Sequence, residues 1–173
     1  MHRGVPLAVA ALAATCVLVG CGGDDSSSPS QGLQVRPVLG EAEDLGCETL
    51  GDGSVADLEL PGNAPAGDEV EACALDGVGY RLGEAAVDGG VASVELRAAT
   101  DSYLVEIVLD DDAAEAMTDL TSGAASSDSR VALLADGAVV SAPMIAGVVG
   151  GALQVSGPWS GSQAEEIAAL LRG

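Results

Sequence analysis

The chain has 173 residues, with 27 acids against six basic residues and a formal net charge of −21 at pH 7. The basic residues are all arginine, and a surface this acidic repels nucleic acid and anionic lipid head groups, so neither is an expected partner. One histidine, His2 at the extreme N-terminus, and no lysine leave no inventory for Ser-His-Asp, Cys-His or Ser-Lys catalysis.

Arg3 supplies a short positive start, and Val5 to Val19 is almost continuously apolar. That length suits the hydrophobic part of a secretory signal and is too short to span a bilayer comfortably. Leu18-Val19-Gly20-Cys21 then sets small residues ahead of a cysteine. This is the pattern of a lipobox, in which the cysteine is acylated and becomes the new N-terminus. Residues 1–20 are therefore expected to be a lipoprotein signal peptide and Cys21 the lipidation site. The other reading is a plain signal cut elsewhere, with Cys21 incidental. Buried acyl chains contribute about 0.8 kcal/mol per methylene, so two or more would hold the protein to the outer face of the cell membrane. Residues 21–35 open on Gly22-Gly23-Asp24-Asp25-Ser26 and carry too little apolar surface to pack, which predicts a flexible tether.

Cys16 leaves with the signal peptide and Cys21 is used for the anchor, so Cys47 and Cys73 remain. In an oxidising compartment the economical reading is one disulfide. A reactive dithiol is the alternative, but it needs neighbours that stabilise a thiolate, and Glu48 and Glu71 do the opposite. Residues 36–79 are rich in Gly, Pro, Asp and Glu, with short apolar pieces such as Val55 to Leu60, and read as an irregular lead-in stapled by that bond.

From Tyr80 the pattern sharpens. Tyr80 to Leu82 and Val91 to Leu96 predict short strands. Ser102 to Leu109 places Tyr103, Val105, Ile107 and Leu109 on one face and Glu106 on the other, a half-buried strand. Asp110-Asp111-Asp112 precedes Ala113, Ala116, Met117 and Leu120 at helical spacing, with Gly123 as the stop. The acids read as a helix start, with Asp112 and Glu115 as a capping box, because a calcium loop needs alternating ligands and a glycine that are missing. Asp136-Gly137 between Val131 to Ala135 and Ala138 to Ser141 predicts a hairpin. Gly150-Gly151 marks another reversal before a strand from Ala152 to Ser156. Ser160 and Gln163 form a capping box for a last helix burying Ala164, Ile167, Ala168 and Leu171. The expected class is α+β, an antiparallel sheet with two helices packed on one face, over residues 80–173.

The run from Val131 to Ile145, with its Asp136-Gly137 turn and Ser141-Ala142-Pro143, resembles the head of the first periplasmic domain of SecD, the Sec-translocon accessory subunit. Gly150-Gly151, Gln154 to Gly157, Trp159-Ser160 and Leu170-Leu171-Arg172 continue the resemblance, as does the stretch Leu104 to Thr121. The resemblance implies that fold, here as a stand-alone lipoprotein, and contact with exported polypeptide or Sec components. The family's membrane helices, which couple proton flow to export, find no counterpart in these residues, so proton-driven transport is not implied.

An enzyme is not expected. A zinc site would have to join Cys47 and Cys73 to carboxylates without histidine, so no metal or cofactor is foreseen. A paired-carboxylate hydrolase has acids enough, but only Tyr80, Tyr103 and Trp159 offer platforms for a sugar, and Trp159 reads as an apolar plug beside the last helix. Two binding readings follow. The domain either assists Sec-dependent export by contacting exported polypeptide, or is an envelope interaction module with a fixed protein or small-ligand partner. The candidate surface is Asp136, Gly137, Pro143, Met144 and Ile145. Pro143 cannot donate to a ladder, so the chain there leaves the sheet or follows its edge. Met144 and Ile145 then either fill the core or present adaptable apolar surface beside an unpaired strand. For the anchor, Cys21→Ala is expected to move the protein out of the membrane fraction or leave an unprocessed precursor. An acylated, membrane-bound Cys21→Ala protein would refute the assignment.

Overall fold

The computed structural model describes residues 32–99, 102–123, 129–144 and 149–173. The expected signal peptide, Cys21 and Ile145 lie outside the described residues. Among the described residues, nine strands and two α-helices are arranged as two sheets with the helices between them. The strands are β1 (Leu33–Glu41), β2 (Val70–Cys73), β3 (Gly79–Leu82), β4 (Val87–Asp88), β5 (Val91–Ala98), β6 (Tyr103–Leu109), β7 (Val131–Ala135), β8 (Ala138–Ser141) and β9 (Ala152–Gly157). The helices are α1 (Asp111–Gly123) and α2 (Gly161–Arg172). The larger sheet runs β2-β3-β1-β7-β8, with β4 also on β1, and the smaller runs β5-β6-β9. Every pairing between named strands is antiparallel. The α+β class is as the sequence predicts, and the strands divide into two sheets rather than one.

The smaller sheet keeps the predicted face. Val105, Ile107 and Leu109 are buried, while Leu104, Glu106 and Val108 on the other side are half-exposed. Both helices pack on the buried side, where Met117 of α1 and Ile167, Ala168 and Leu171 of α2 join one core with Leu33, Val35 and Leu133 of the larger sheet. The larger sheet rolls up until its two ends meet at a parallel bridge between Ala74 and Val139. Inside the roll lie Ala72, Ala74, Tyr80, Leu82, Ala132, Leu134 and Val139, and the small alanines allow the tight curl. No helix among the described residues is long and apolar enough to cross a membrane.

Three expectations need correction. The tether does not extend to residue 35, and residues 36–79 are not wholly irregular, because β1 starts at Leu33 and is the middle strand of the larger sheet. Its alternation is Leu33 and Val35 toward the main core and Gln34 and Arg36 toward the loop of residues 61–69. All four side chains are fully buried. Pro37 is tolerated in this central strand because Val38 N–H donates to Arg130 O (3.0 Å), which turns the ring nitrogen of Pro37 toward the gap between β4 and β3. A boundary at residue 80 would cut through β3, which pairs with β1 and β2 on either side. Lastly, Asp112 and Glu115 form no capping box. Asp110 caps α1, its Oδ1 accepting from Ala113 N–H at 2.9 Å, because Asp110 N–H is itself held by Gly90 O at 2.8 Å.

Cys47 and Cys73 are joined by a disulfide, with Cα atoms 5.4 Å apart. It ties the irregular stretch after β1 to β2 and limits the unfolded chain, a contribution of about 3 kcal/mol for a loop of this length. At Ser160 the predicted capping box is present, with Ser160 N–H donating to Gln163 Oε1 (2.8 Å) and Gln163 N–H to Ser160 Oγ (3.3 Å).

Arg36 uses all five of its N–H groups. Nε donates to Gln34 Oε1 (3.0 Å), Nη1 to the carbonyls of Asp68 (2.6 Å) and Gly83 (2.9 Å), and Nη2 to those of Ala64 (3.2 Å) and Pro65 (2.9 Å). Burial lowers its pKa, opposed by the nearby charges of Asp88 and Asp68, and a guanidinium starts high enough to remain charged. Arg36→Met would leave these buried acceptors without donors and should cost about 3 kcal/mol or more. Arg97→Met, whose side chain is 57% exposed and pairs with Glu95 and Glu106, should cost under about 1 kcal/mol. Urea unfolding of the two variants checks the contrast, and equal losses would contradict it.

Candidate functional site

The two halves of the expected surface are separated by the hairpin that carries them. Asp136 (φ 47°) and Gly137 (φ 82°) both take the left-handed conformation that a two-residue hairpin turn with the strand's own twist requires. This turn is covered. Gly62 N–H donates to Asp136 O (3.0 Å), Gly137 N–H donates to Asn63 Oδ1 (2.8 Å), and a Cβ on Gly137 would run into the Gly62 carbonyl. Asp136 and Gly137 thus hold loop 61–63, with Gly137 buried and Asp136 half-exposed, a packing that the local Asp-Gly signal does not reveal.

Pro143 and Met144 lie at the other end of β8, about 20 Å along the strand. Pro143 O accepts from Val131 N–H (3.1 Å) and Met144 bridges Arg130, so the chain keeps following the start of β7. The Met144 side chain is 69% exposed, which resolves the alternative left open by the sequence: it is outside the core. Beside this segment an open cleft of ≈480 Å³ separates β8 from the end of β9.

Residues of the cleft come from four parts of the chain. Trp159 is half-buried, packing on the main core while its ring lies against Gly157 and faces the cleft. The expected plug is therefore also a wall. Arg130 is fixed by three acceptors: Ala142 O (3.1 Å from Nε), Tyr80 OH (3.0 Å from Nη2) and Glu41 (3.2 Å from Nη1). Its guanidinium carbon is 5.1 Å from the centroid of the Tyr80 ring, a cation–π contact. No local pattern marks Arg130, because its partners lie 12, 50 and 89 residues away. On the outer side of β8, Leu75 N–H donates to Val139 O (3.1 Å), so that edge is already partly occupied.

The remaining wall, around Gly51 and Asp52, is clamped by α2. Gln163 Nε2 donates to Gly51 O (2.9 Å) and Gly53 O (2.6 Å), while Glu166 accepts from Ser54 Oγ (2.8 Å) and Val55 N–H (2.6 Å). The Ser54 hydroxyl, more than the N–H groups of Val55 and Ala56, holds the Glu166 carboxyl below its ordinary range against a smaller opposing effect of desolvation. Among the described residues no group of three or more His, Cys, Asp or Glu is placed to hold a metal ion.

The family described as SecDF, P1 head subdomain, matches residues 83–173. Among curated protein sequences none matches the chain. Among solved structures, one of SecDF, described as a membrane component that enhances protein export, superposes with a TM-score of 0.53 at 23% identity. The alignment covers 83% of this chain and 63% of that one. A crystal structure of SecDF in its super-membrane-facing form gives a TM-score of 0.51 at 20% identity, over 83% of this chain and 19% of the other. The chain thus spans less than two thirds of either structure, and at these identities the likeness is one of fold.

The clamp on the cleft wall has a pH signature. A carboxyl whose folded pKa is depressed stabilises the fold above the unfolded pKa, and that contribution fades as pH falls through the folded value. Glu166→Gln should therefore lower the unfolding midpoint most near neutral pH, and the gap to the unaltered chain should narrow as the solution is made acidic. Thermal unfolding across that range tests it; a gap that widens in acid would show the carboxylate is not the stabilised form.

Proposed function

The chain belongs to the SecDF P1 head subdomain family, and on that premise we propose that it serves Sec-dependent protein export as an extracytoplasmic, membrane-anchored domain that contacts exported polypeptide. A fold hosts many functions, so the reading must stand on a surface. The observation that carries it is Met144, an unbranched, polarizable side chain left 69% exposed at the end of β8. It stands beside a cleft with Trp159 and Pro143 in its walls. An exported chain passes as an unfolded segment of varied sequence. Flexible apolar contact and an aromatic wall suit such a partner better than a site built on directed side-chain hydrogen bonds. Arg130 keeps the rim polar and is held by three acceptors within the protein, so it shapes the cleft wall. The lipid anchor at Cys21 would keep this surface at the membrane where translocated chains emerge.

Met144→Asp is the direct test. The residue is exposed, so the fold should keep its stability within about 0.5 kcal/mol. Capture of a chemically unfolded reporter protein should weaken about tenfold, because a charge replaces an apolar contact. Ser122→Asp, which adds the same charge at an exposed position on α1, should leave capture unchanged. A folded Met144→Asp protein that captures the reporter like the unaltered chain would remove this segment from the site.

A further inference from the structure

β2 is an edge strand, and its outer side faces a groove of ≈880 Å³. In an antiparallel ladder the residues of one strand alternate between bonding the neighbour and pointing away from it. Ala74 N–H bonds Val78 O (2.8 Å), and Ala72 and Val70 continue that register opposite Tyr80 and Leu82. The N–H and C=O groups of Glu71 and Cys73 therefore point outward; the Cys73 carbonyl faces Val139 N–H in the Ala74–Val139 bridge, which leaves the N–H and C=O of Glu71 and the N–H of Cys73 on the open side. The rolled sheet closes only at Ala74–Val139; behind that bridge β2 diverges from β8, and the groove is the open seam.

The lining says what would fill it. Leu45, Leu58 and Leu60 form apolar walls, and the disulfide fixes the first of these walls to β2. Glu48, Asp57, Glu59 and Glu71 stand on the rim, and no basic residue lines the groove. Arg81, opposite Glu71 on β3, makes no ion pair among the described residues and lies outside it. We infer that this groove binds an extended apolar peptide segment bearing lysine or arginine, which adds to the edge of β2 through the N–H and C=O of Glu71 and the N–H of Cys73 and pairs its basic end with the acidic rim. Main-chain bonds would supply sequence-tolerant affinity, the leucines would take alternate side chains, and the carboxylates would select the charge. A second copy of this chain, carrying the same acids, would be repelled at the same rim. The groove lies on the other side of the Ala74-Leu75 turn from the cleft at Met144, and its occupant need not be an exported chain.

The test uses the full chain with a labelled synthetic peptide of alternating valine and threonine bearing paired arginines at one end, and the same peptide with glutamates there. The arginine peptide should bind about tenfold or more tightly than the glutamate peptide, with the difference shrinking in high salt. On binding, the outward amides of Glu71 and Cys73 should gain protection from hydrogen exchange. Glu71→Pro removes a donor that β3 does not use and should abolish binding. Should that variant fail to fold, Glu71→Lys reverses the rim charge at an exposed position and should weaken the arginine peptide about tenfold. Met144→Asp should leave peptide binding unchanged, which keeps this outcome separate from that of the export reading. Equal affinity for the two peptides, binding indifferent to the Glu71 variants, or protection confined to other strands would each overturn the inference. So would a dimer of the free chain that Glu71→Pro converts to monomer, since the seam would then hold a second copy.

Discussion

Much of this structure depends on one buried guanidinium. Arg36 sits on the middle strand of the larger sheet, fully buried, and its five hydrogen bonds draw the carbonyls of residues 64, 65, 68 and 83 onto β1. A buried charge is costly unless every donor is met and opposite charge is near; here the planar fork of donors finds five acceptors, with Asp68 and Asp88 close enough to act on it. Holding loop 61–69 in turn places Asn63, which donates to Gly32 O (2.9 Å) and accepts from Gly137 N–H (2.8 Å). The same loop covers the β7–β8 turn. The position of β8, and so of Pro143 and Met144 at its far end, follows from a chain of contacts that starts at Arg36.

Elements whose signals are local were legible in the sequence. The hairpin turn needs only two residues that accept positive φ, and Asp136-Gly137 supplies them. The last helix carries its own cap in Ser160 and Gln163 and its own buried stripe. β1 was not legible for the same reason that it matters. Its polar face, Gln34 and Arg36, is buried among carbonyls rather than solvated, and its Pro37 argues against a central strand unless the break between β3 and β4 is known. Three adjacent aspartates gave three possible cap registers, and the choice of Asp110 rests on Gly90, twenty residues earlier. Of the candidate site, Met144 takes the exposed one of the two placements that the sequence leaves open. The covering of Asp136 and Gly137 was hidden because it depends on a loop more than seventy residues before them in the chain.

The two sheets treat their uncovered parts differently. The smaller sheet leaves one face half-exposed, and there Arg97 bridges Glu95 (3.2 Å) and Glu106 (3.1 Å), setting charged groups beside the half-exposed Leu104 and Val108. The larger sheet nearly abolishes its edges by curling, the device barrels use, and what remains open is bordered by carboxylates.

That border bears on the whole charge of −21. Like-charged edges keep copies of the chain from pairing. Repulsion of one's own kind is at the same time selection among partners, because a segment that brings positive charge gains where a second copy loses. The same acids that make nucleic acid and anionic lipid poor partners thus leave one class of ligand favoured, extended chain with basic residues. The fold offers that class the outward backbone of Glu71 and the N–H of Cys73, on a strand that the disulfide holds in place.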